Sequence, residues 1–150
     1  MLKNPYFATR EDERVYNDIS TSQWWFNLQQ EVGDKTVVLA IMLFSDMTLV
    51  SDNGRKKAWP LYLTLGNIPK SVRYLECFRA CRVLAYLPVI SVVKGRNKPS
   101  WWSYCKVLIF HHCLDIILKP LKNGPMIRPF FGTNKQIYSC VPALATYGAD

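Results

Sequence analysis

The stretch TVVLAIMLFSD, Thr36–Asp46, is the segment that decides the fold. It is apolar and rich in β-branched residues, and it lacks the polar-apolar alternation of a strand with one wet face. A continuous apolar run of this length is typical of a strand buried on both faces, as in the centre of a parallel sheet. The pattern therefore predicts a central strand that ends abruptly at Ser45-Asp46.

The rest of the chain predicts more strands and a long helix around this central strand. Pro60 is expected at the start of its strand or on an edge, and Pro88 indicates an edge strand or the end of one. The predicted elements are a helix at Glu11–Leu28, strands at Trp59–Ile68, Val83–Val93 and Gln136–Gly148, and a helix at Trp101–Lys119 that Pro120 stops. This order predicts an α/β domain at residues 35–150 after an N-terminal segment, residues 1–34.

Length and composition exclude several classes of protein. The chain has 150 residues, of which 49% are hydrophobic and 20% charged, as in a globular domain. The longest uncharged apolar run, Val37–Phe44, has eight residues, whereas a membrane-spanning helix needs about 20. The N-terminus has no apolar signal region. We therefore expect no membrane association and an intracellular protein with reduced thiols, and five cysteines, an odd number, argue against a disulfide framework.

Charge is distributed unevenly along the chain. Residues 1–52 hold eight acidic and four basic residues, a net charge of −4. Residues 53–150 hold fifteen basic residues and three acidic ones (Glu76, Asp115 and Asp150), a net charge of +12. Such a basic segment predicts a surface for a polyanion, nucleic acid first. The alternative is a solvated basic surface, or one compensated by a neighbouring domain.

Two aspartates follow predicted strands. Asp46 ends the central strand and Asp150 ends the last one. If these strands are parallel neighbours, their carboxyl ends meet at one edge of the sheet, and the two carboxylates could share a metal ion for phosphoryl transfer. An Asp after a strand is also common as a turn or cap residue, so the pattern alone leaves both interpretations open.

Cysteines and histidines suggest a zinc site as an alternative. Cys77-x3-Cys81 and Cys105…His111-His112-Cys113 lack the close paired spacing that zinc sites usually show. We therefore expect core thiols. His111 is expected as a core histidine on the apolar helix face, which is predicted to comprise Val107, Leu108, His111, Leu114 and Leu118.

Several stretches together resemble the Plavaka-type transposases of fungal DNA elements, which are related to the CACTA group. They occur in the family's order and cover most of residues 14–150. They are RVYNDISTSQWWFNLQQEV (Arg14–Val32), VVLAIMLFSDMTLV (Val37–Val50), KKAWPLYLTLGNIPK (Lys56–Lys70), RVLAYLPV (Arg82–Val89), FHHCLDIILKPL (Phe110–Leu121) and SCVPALATYGAD (Ser139–Asp150).

The resemblance implies a DDE/D transposase core with an RNase H-like fold: three antiparallel strands, a helix, then a strand parallel to the first. It implies that Asp46 and Asp150 stand at the first and second catalytic acids and bind Mg²⁺ or Mn²⁺, and that the protein acts on DNA in the nucleus. The basic residues expected to contact the DNA backbone are Arg55, Lys56, Lys57, Lys70, Arg73, Arg79 and Arg82.

The sequence also departs from the family's pattern. Met47 replaces the usual Lys after the first Asp, Phe131-Gly132 stands where an Asp-Gly is usual, and Ala149 separates Gly148 from Asp150. The third acid has no candidate here. We therefore expect a truncated, inactive piece of the catalytic core. The alternatives are a domesticated, non-catalytic DNA-binding module and a functionless transposon remnant.

Overall fold

The structure, a computed structural model, describes residues 16–51, 56–91, 99–122 and 137–149 with their side chains, and the backbone of residues 9–10, 13–14 and 128–131. In chain order the elements are β1 (Thr9–Arg10), β2 (Glu13–Arg14), a 3-10 turn (Ile19–Thr21), α1 (Gln23–Val32), β3 (Thr36–Ser45), β4 (Thr48–Leu49), β5 (Lys57–Leu65), α2 (Lys70–Arg73), a second 3-10 turn (Glu76–Phe78), β6 (Arg82–Leu87), α3 (Trp102–Lys122), β7 (Arg128–Phe131) and β8 (Ile137–Ala149). β1 and β2 pair with each other, and the other six strands form one mixed sheet.

β3 is the central strand of that sheet. It pairs antiparallel with β5 and parallel with β8. β6 pairs antiparallel with β5, and β7 antiparallel with β8. β4 continues the register of β3 along β5, because Ser45 pairs with Leu61 and Thr48 with Ala58. The strand order is therefore β6-β5-β3-β8-β7, which confirms the predicted three antiparallel strands, helix and strand parallel to the first.

Burial on both faces of β3 is also confirmed. Val38 and Ala40 are fully buried on one face, and Leu43, with Ile41, is buried on the other. The second face carries the main apolar cluster, in which Ile41 and Leu43 meet Leu61. A strand without a wet face needs no polar alternation, which explains the continuous apolar run.

β5 and β6 are shorter than the predicted strands. β5 ends at Leu65, where Gly66 and Asn67 form a turn, rather than at Ile68. β6 ends at Leu87, directly before Pro88, as expected for a proline that terminates a strand. The prediction that Pro60 lies at the start or edge was wrong, because Pro60 is a buried residue inside β5.

Pro60 nevertheless interrupts the hydrogen bonding along β5, between its pairing with β3 and its pairing with β4. The backbone N–H and C=O of Ala40 bond to Asn67 and Gly66, on the side of β3 that faces β5. Alternate residues of a strand direct their backbone N–H and C=O groups to the same neighbouring strand. Phe44 pairs with Tyr62, so the next residue of β3 whose backbone would bond to β5 is Asp46, and in this register it lies opposite Pro60. Proline has no N–H to donate. The interruption between β3 and β4, at Asp46-Met47, lies opposite this proline.

The first helix is shorter than predicted. Glu11–Leu28 was predicted to be helical, but α1 covers Gln23–Val32, and Glu13–Arg14 within the predicted helix form β2. The side chain of Ser22 accepts a hydrogen bond from the Trp25 N–H and caps the helix. Its end is set by Gly33, which adopts a φ of 78° that a residue with a side chain rarely takes.

α3 packs on the sheet with a face that shares only Leu114 and Leu118 with the predicted one. The packed residues follow helical spacing and are Phe110, Cys113, Leu114, Ile117, Leu118 and Leu121. Val107 and Leu108, predicted for this face, are half exposed, and His111 is exposed. The face is fixed by Phe110, whose ring stacks on Trp59 of β5 at 5.2 Å.

Pro120 does not stop α3, which continues to Lys122. A proline in a helix removes the hydrogen bond to the residue four positions earlier. Here it lies in the last turn, so only one bond is lost before the helix ends, and the chain completes the turn. The final predicted strand, Gln136–Gly148, is confirmed as β8, which runs from Ile137 to Ala149.

Candidate functional site

The carboxyl ends of β3 and β8 lie side by side. The parallel register pairs Ser45, the last residue of β3, with Ala149, the last residue of β8. Asp46 follows Ser45 and its side chain is exposed. Asp150 follows Ala149 but lies outside the described residues, so the structure places one of the two predicted carboxylates and the strand that leads to the other.

A side-chain hydrogen bond links the two strand ends. The hydroxyl groups of Ser45 and Tyr147 lie 2.7 Å apart. Ser45 is buried, with 3% of its surface exposed, and the Tyr147 ring packs at 6.2 Å from that of Phe110 on α3. This contact joins the strands directly before Asp46. Sequence reasoning missed it because the two residues are 102 positions apart.

A cavity of about 410 Å³ lies beside these strand ends. Met47, which follows Asp46, and Ala149 line it. Its other lining residues come from β5, from the end of β6 with the residues after it, and from α3, and they are Trp59, Leu87, Pro88, Ile90, Lys106, Val107, Ile109, Phe110 and His111. No local sequence pattern predicts this cavity, because its walls come from five separate segments of the chain.

The predicted DNA-contacting residues that the structure describes do not form one patch. Lys57 begins β5, whereas Arg82 pairs with Leu63 near its other end, a separation of about 20 Å at ~3.3 Å per residue. Lys56 lies next to Lys57, towards the Asp46 end of the sheet. Lys56, Lys57, Lys70, Arg79 and Arg82 are exposed. Arg55 lies outside the described residues.

Arg73 is engaged in the fold. Its guanidinium forms an ion pair with Asp18 and donates to the Met42 Sδ at 2.8 Å, and its side chain is only 14% exposed. Burial raises the pKa of Asp18, but hydrogen bonds from the Ile19 N–H, Arg73 and the Lys70 N–H outweigh that and hold the pKa below its ordinary value. These contacts tie the segment before α1 to α2.

The zinc alternative finds no support in the described part of the chain. No group of three or more His, Cys, Asp or Glu side chains there could hold a metal ion. The prediction of core thiols is wrong for Cys77 and Cys81, which are exposed; Cys140, for which no such prediction was made, is buried. Cys105 and Cys113 are half-buried. His111 is not a core histidine.

A divalent cation of the Mg²⁺ type takes oxygen ligands, usually one or two carboxylates with several waters. The exposed carboxylate of Asp46 at a rigid strand end is a ligand of that type, with no hydrogen bond or ion pair to another described residue. The residue after Ala149 supplies a second carboxylate in sequence.

The helices of the described residues include none long and apolar enough to cross a membrane. The fold and the strand ends together define a mixed α/β domain that presents a carboxylate beside a central parallel strand pair, in a chain with a basic second part. The family model of the Plavaka transposase matches residues 2–150. The chain therefore belongs to the Plavaka transposase family. Neither a curated protein nor a solved structure matches it.

Proposed function

We propose that this chain forms the RNase H-like core of a DDE/D transposase and presents its first two catalytic acids. The observation that supports this most is the parallel pairing of β3 with β8, in a register that brings Ser45 and Ala149 together. Each is followed in sequence by an aspartate. The strand order β6-β5-β3-β8, with α3 between β6 and β8, agrees with the topology expected from the resemblance.

In this proposal Asp46 and Asp150 hold Mg²⁺ or Mn²⁺. A bound ion would activate the attacking water and stabilise the charge on the leaving oxygen of a DNA phosphodiester. The protein's part is to fix the carboxylates. Asp46 extends from a strand that is buried on both faces and hydrogen-bonded to neighbours on both sides, which is a rigid base for a ligand.

The exposed cations are proposed to bind the DNA backbone in two groups. Lys56 and Lys57 (with Arg55 before them in sequence) extend beyond Asp46 along β5. Lys70, Arg79 and Arg82 lie towards the other end of that strand, so the two groups meet phosphates about 20 Å apart. Arg73 is left out, because its guanidinium is committed to Asp18.

Weak, salt-dependent DNA binding without cleavage is the activity we expect from these 150 residues. DDE/D chemistry uses three acids, and the resemblance assigns two of them here. Fluorescence anisotropy with a labelled duplex at about 50 mM salt should detect binding that weakens steeply as salt is raised. Lys57→Gln should reduce the slope of log affinity against log salt by about 1, and Lys119→Gln, an exposed lysine outside both groups, is the matched control.

A nicking assay on supercoiled plasmid in Mg²⁺ tests the expected inactivity. No nicked product should form. Nicking by the wild-type chain that is lost in Asp46→Asn would refute inactivity and support the catalytic assignment. Nicking that persists in Asp46→Asn would refute the role of Asp46.

A non-catalytic DNA-binding module is the second candidate function, favoured by the five exposed cations among the predicted contacts. It predicts that Asp46→Ala leaves DNA affinity unchanged and that the chain needs no divalent ion to bind.

The remnant hypothesis predicts no cooperative unfolding. A chain that ignores DNA at about 50 mM salt would refute both DNA-binding proposals.

A further inference from the structure

The cavity beside Asp46 has an apolar and aromatic interior. Trp59 and Phe110, stacked on each other with an interplanar angle of 18°, form one wall. Leu87, Pro88 and Ile90 continue this lining. A volume of about 410 Å³ falls in the range of roughly 300–1,000 Å³ found for small-molecule and cofactor sites. The interior therefore suits a flat, apolar-faced group about the size of one ring system.

The ionisable side chains at the cavity are basic. Lys106 and His111, on successive turns of α3, both line it, and no acidic side chain is among its lining residues in the described chain. The Lys106 ammonium lies 5.9 Å from the centroid of the Trp102 ring, a cation–π contact that helps to hold it there. A ligand that carries an anion next to a flat ring would therefore match the cavity in both charge and shape.

The position of the cavity further restricts the choice of ligand. Met47 and Ala149 in its wall are the neighbours in sequence of Asp46 and Asp150. A DNA strand with a phosphodiester at those acids would have its adjacent nucleotides at the cavity mouth. A base has two flat faces that pack on aromatic side chains, and it is attached to the anionic phosphate that Lys106 and His111 would attract.

We propose that this cavity receives one unpaired base of the DNA strand whose phosphodiester lies at Asp46, with Lys106 and His111 contacting the phosphate beside that base. The inference rests on the proposed function, since it takes the DNA position from the strand ends. It adds that the protein prefers DNA with an unpaired base. Removing a base from a duplex costs stacking and pairing energy, so a base already unpaired is the favoured occupant.

The test compares three DNA duplexes of equal length and charge: one fully paired, one with a single unpaired thymine, and one with an abasic unit at that position. Fluorescence anisotropy should show at least about fivefold tighter binding to the unpaired thymine than to the other two, which corresponds to one stacked base at about 1 kcal/mol. Equal binding of the thymine and abasic duplexes would overturn the inference, because it would show recognition of bending alone.

Matched variants locate the effect in the cavity. Val107→Phe fills the cavity from a residue that is 51% exposed, and should remove the preference while leaving binding of paired DNA within about twofold. Leu108→Phe, at a neighbouring residue that is 49% exposed and not in the cavity wall, should keep the preference. Lys106→Gln should reduce the preference without changing the fold, as checked by circular dichroism.

The results separate the inference from the proposed function. If none of the duplexes binds, the proposed DNA binding fails and the inference fails with it. If all three bind equally and Lys57→Gln still lowers the salt slope, the DNA-binding proposal stands and the cavity inference is refuted. A preference that survives Val107→Phe would also refute the cavity as its source.

Discussion

Asn67 completes the hydrogen bonding of the central strand where its neighbour has ended. β5 stops at Leu65, but β3 continues beyond its pairing with that strand. The side chain of Asn67 donates to the Val38 C=O at 2.7 Å and accepts from the Ala40 N–H at 2.9 Å. An amide side chain thus replaces the missing strand. We predict that Asn67→Ala destabilises the protein strongly.

The size of the effect follows from the two backbone groups that lose their partners. Val38 and Ala40 are fully buried, so water reaches those groups poorly. An unsatisfied buried donor or acceptor costs about 1–3 kcal/mol. With partial hydration near the turn, the two together should cost about 2–4 kcal/mol, a large share of the ~5–15 kcal/mol stability of an ordinary domain.

Equilibrium unfolding in urea measures this loss. Asn27→Ala is the control, because Asn27 is exposed on α1 and its side chain bonds only Gln23 among the described residues; it should change stability by no more than about 0.5 kcal/mol. At about 2–4 °C per kcal/mol, Asn67→Ala should also lower the melting temperature by about 4–16 °C. A loss no larger than that of the control would refute the role assigned to Asn67.

Three further changes test other parts of the fold. Gly66→Ala should destabilise by about 1–3 kcal/mol, because its Cβ would lie 2.4 Å from the Ile19 side chain, whereas Gly148→Ala, with its nearest neighbour at 3.9 Å, should be tolerated in the same denaturation series. Asp18→Asn should lower the free energy of unfolding by about 2 kcal/mol at pH 7. Because the folded-state pKa of Asp18 is lowered, this difference from wild type should shrink below about pH 4, as the folded carboxyl is protonated. Stability curves against pH measure it. A difference constant from pH 7 to pH 2 would contradict this. Tyr147→Phe should lower the free energy of unfolding by about 1–2 kcal/mol, because it leaves the buried Ser45 hydroxyl unpaired. Adding Ser45→Ala to this variant should lower it little further. Additive losses in the double-mutant cycle would refute the coupling of the two hydroxyls.

The strands and the long helix could be predicted from local patterns, and their finer placement could not. The β-branched run before Asp46 identified the central strand, because a strand buried on both faces is apolar at nearly every position. The face of α3 was predicted only in part: Leu114 and Leu118 pack on the sheet as expected, but the stacking of Phe110 on Trp59 leaves Val107 and Leu108 half exposed. β7 was not predicted at all.

The candidate site was predictable only where a single residue defines it. Asp46 follows the most distinctive strand, so it could be named from the sequence. The hydrogen bond between Ser45 and Tyr147, the clamp of Asn67 on β3 and the cavity all join segments far apart in the chain. The periodicity of polar and apolar residues along the sequence does not predict contacts between such distant segments. Arg73 was grouped with the DNA-contacting residues because sequence does not show that Asp18 is its partner.

The measurement that tests the central claim most directly is a Mn²⁺ titration followed by NMR. A paramagnetic ion broadens the signals of nearby amides even when it binds weakly. If Asp46 and Asp150 hold the ion, the amide signals of Ser45, Met47 and Ala149 should broaden together at Mn²⁺ concentrations well below that of the protein. Asp46→Asn should abolish this, and Asp115→Asn, at an exposed carboxylate paired with Lys122, should not. Broadening that persists in Asp46→Asn, or that is confined to other carboxylates, would contradict the account.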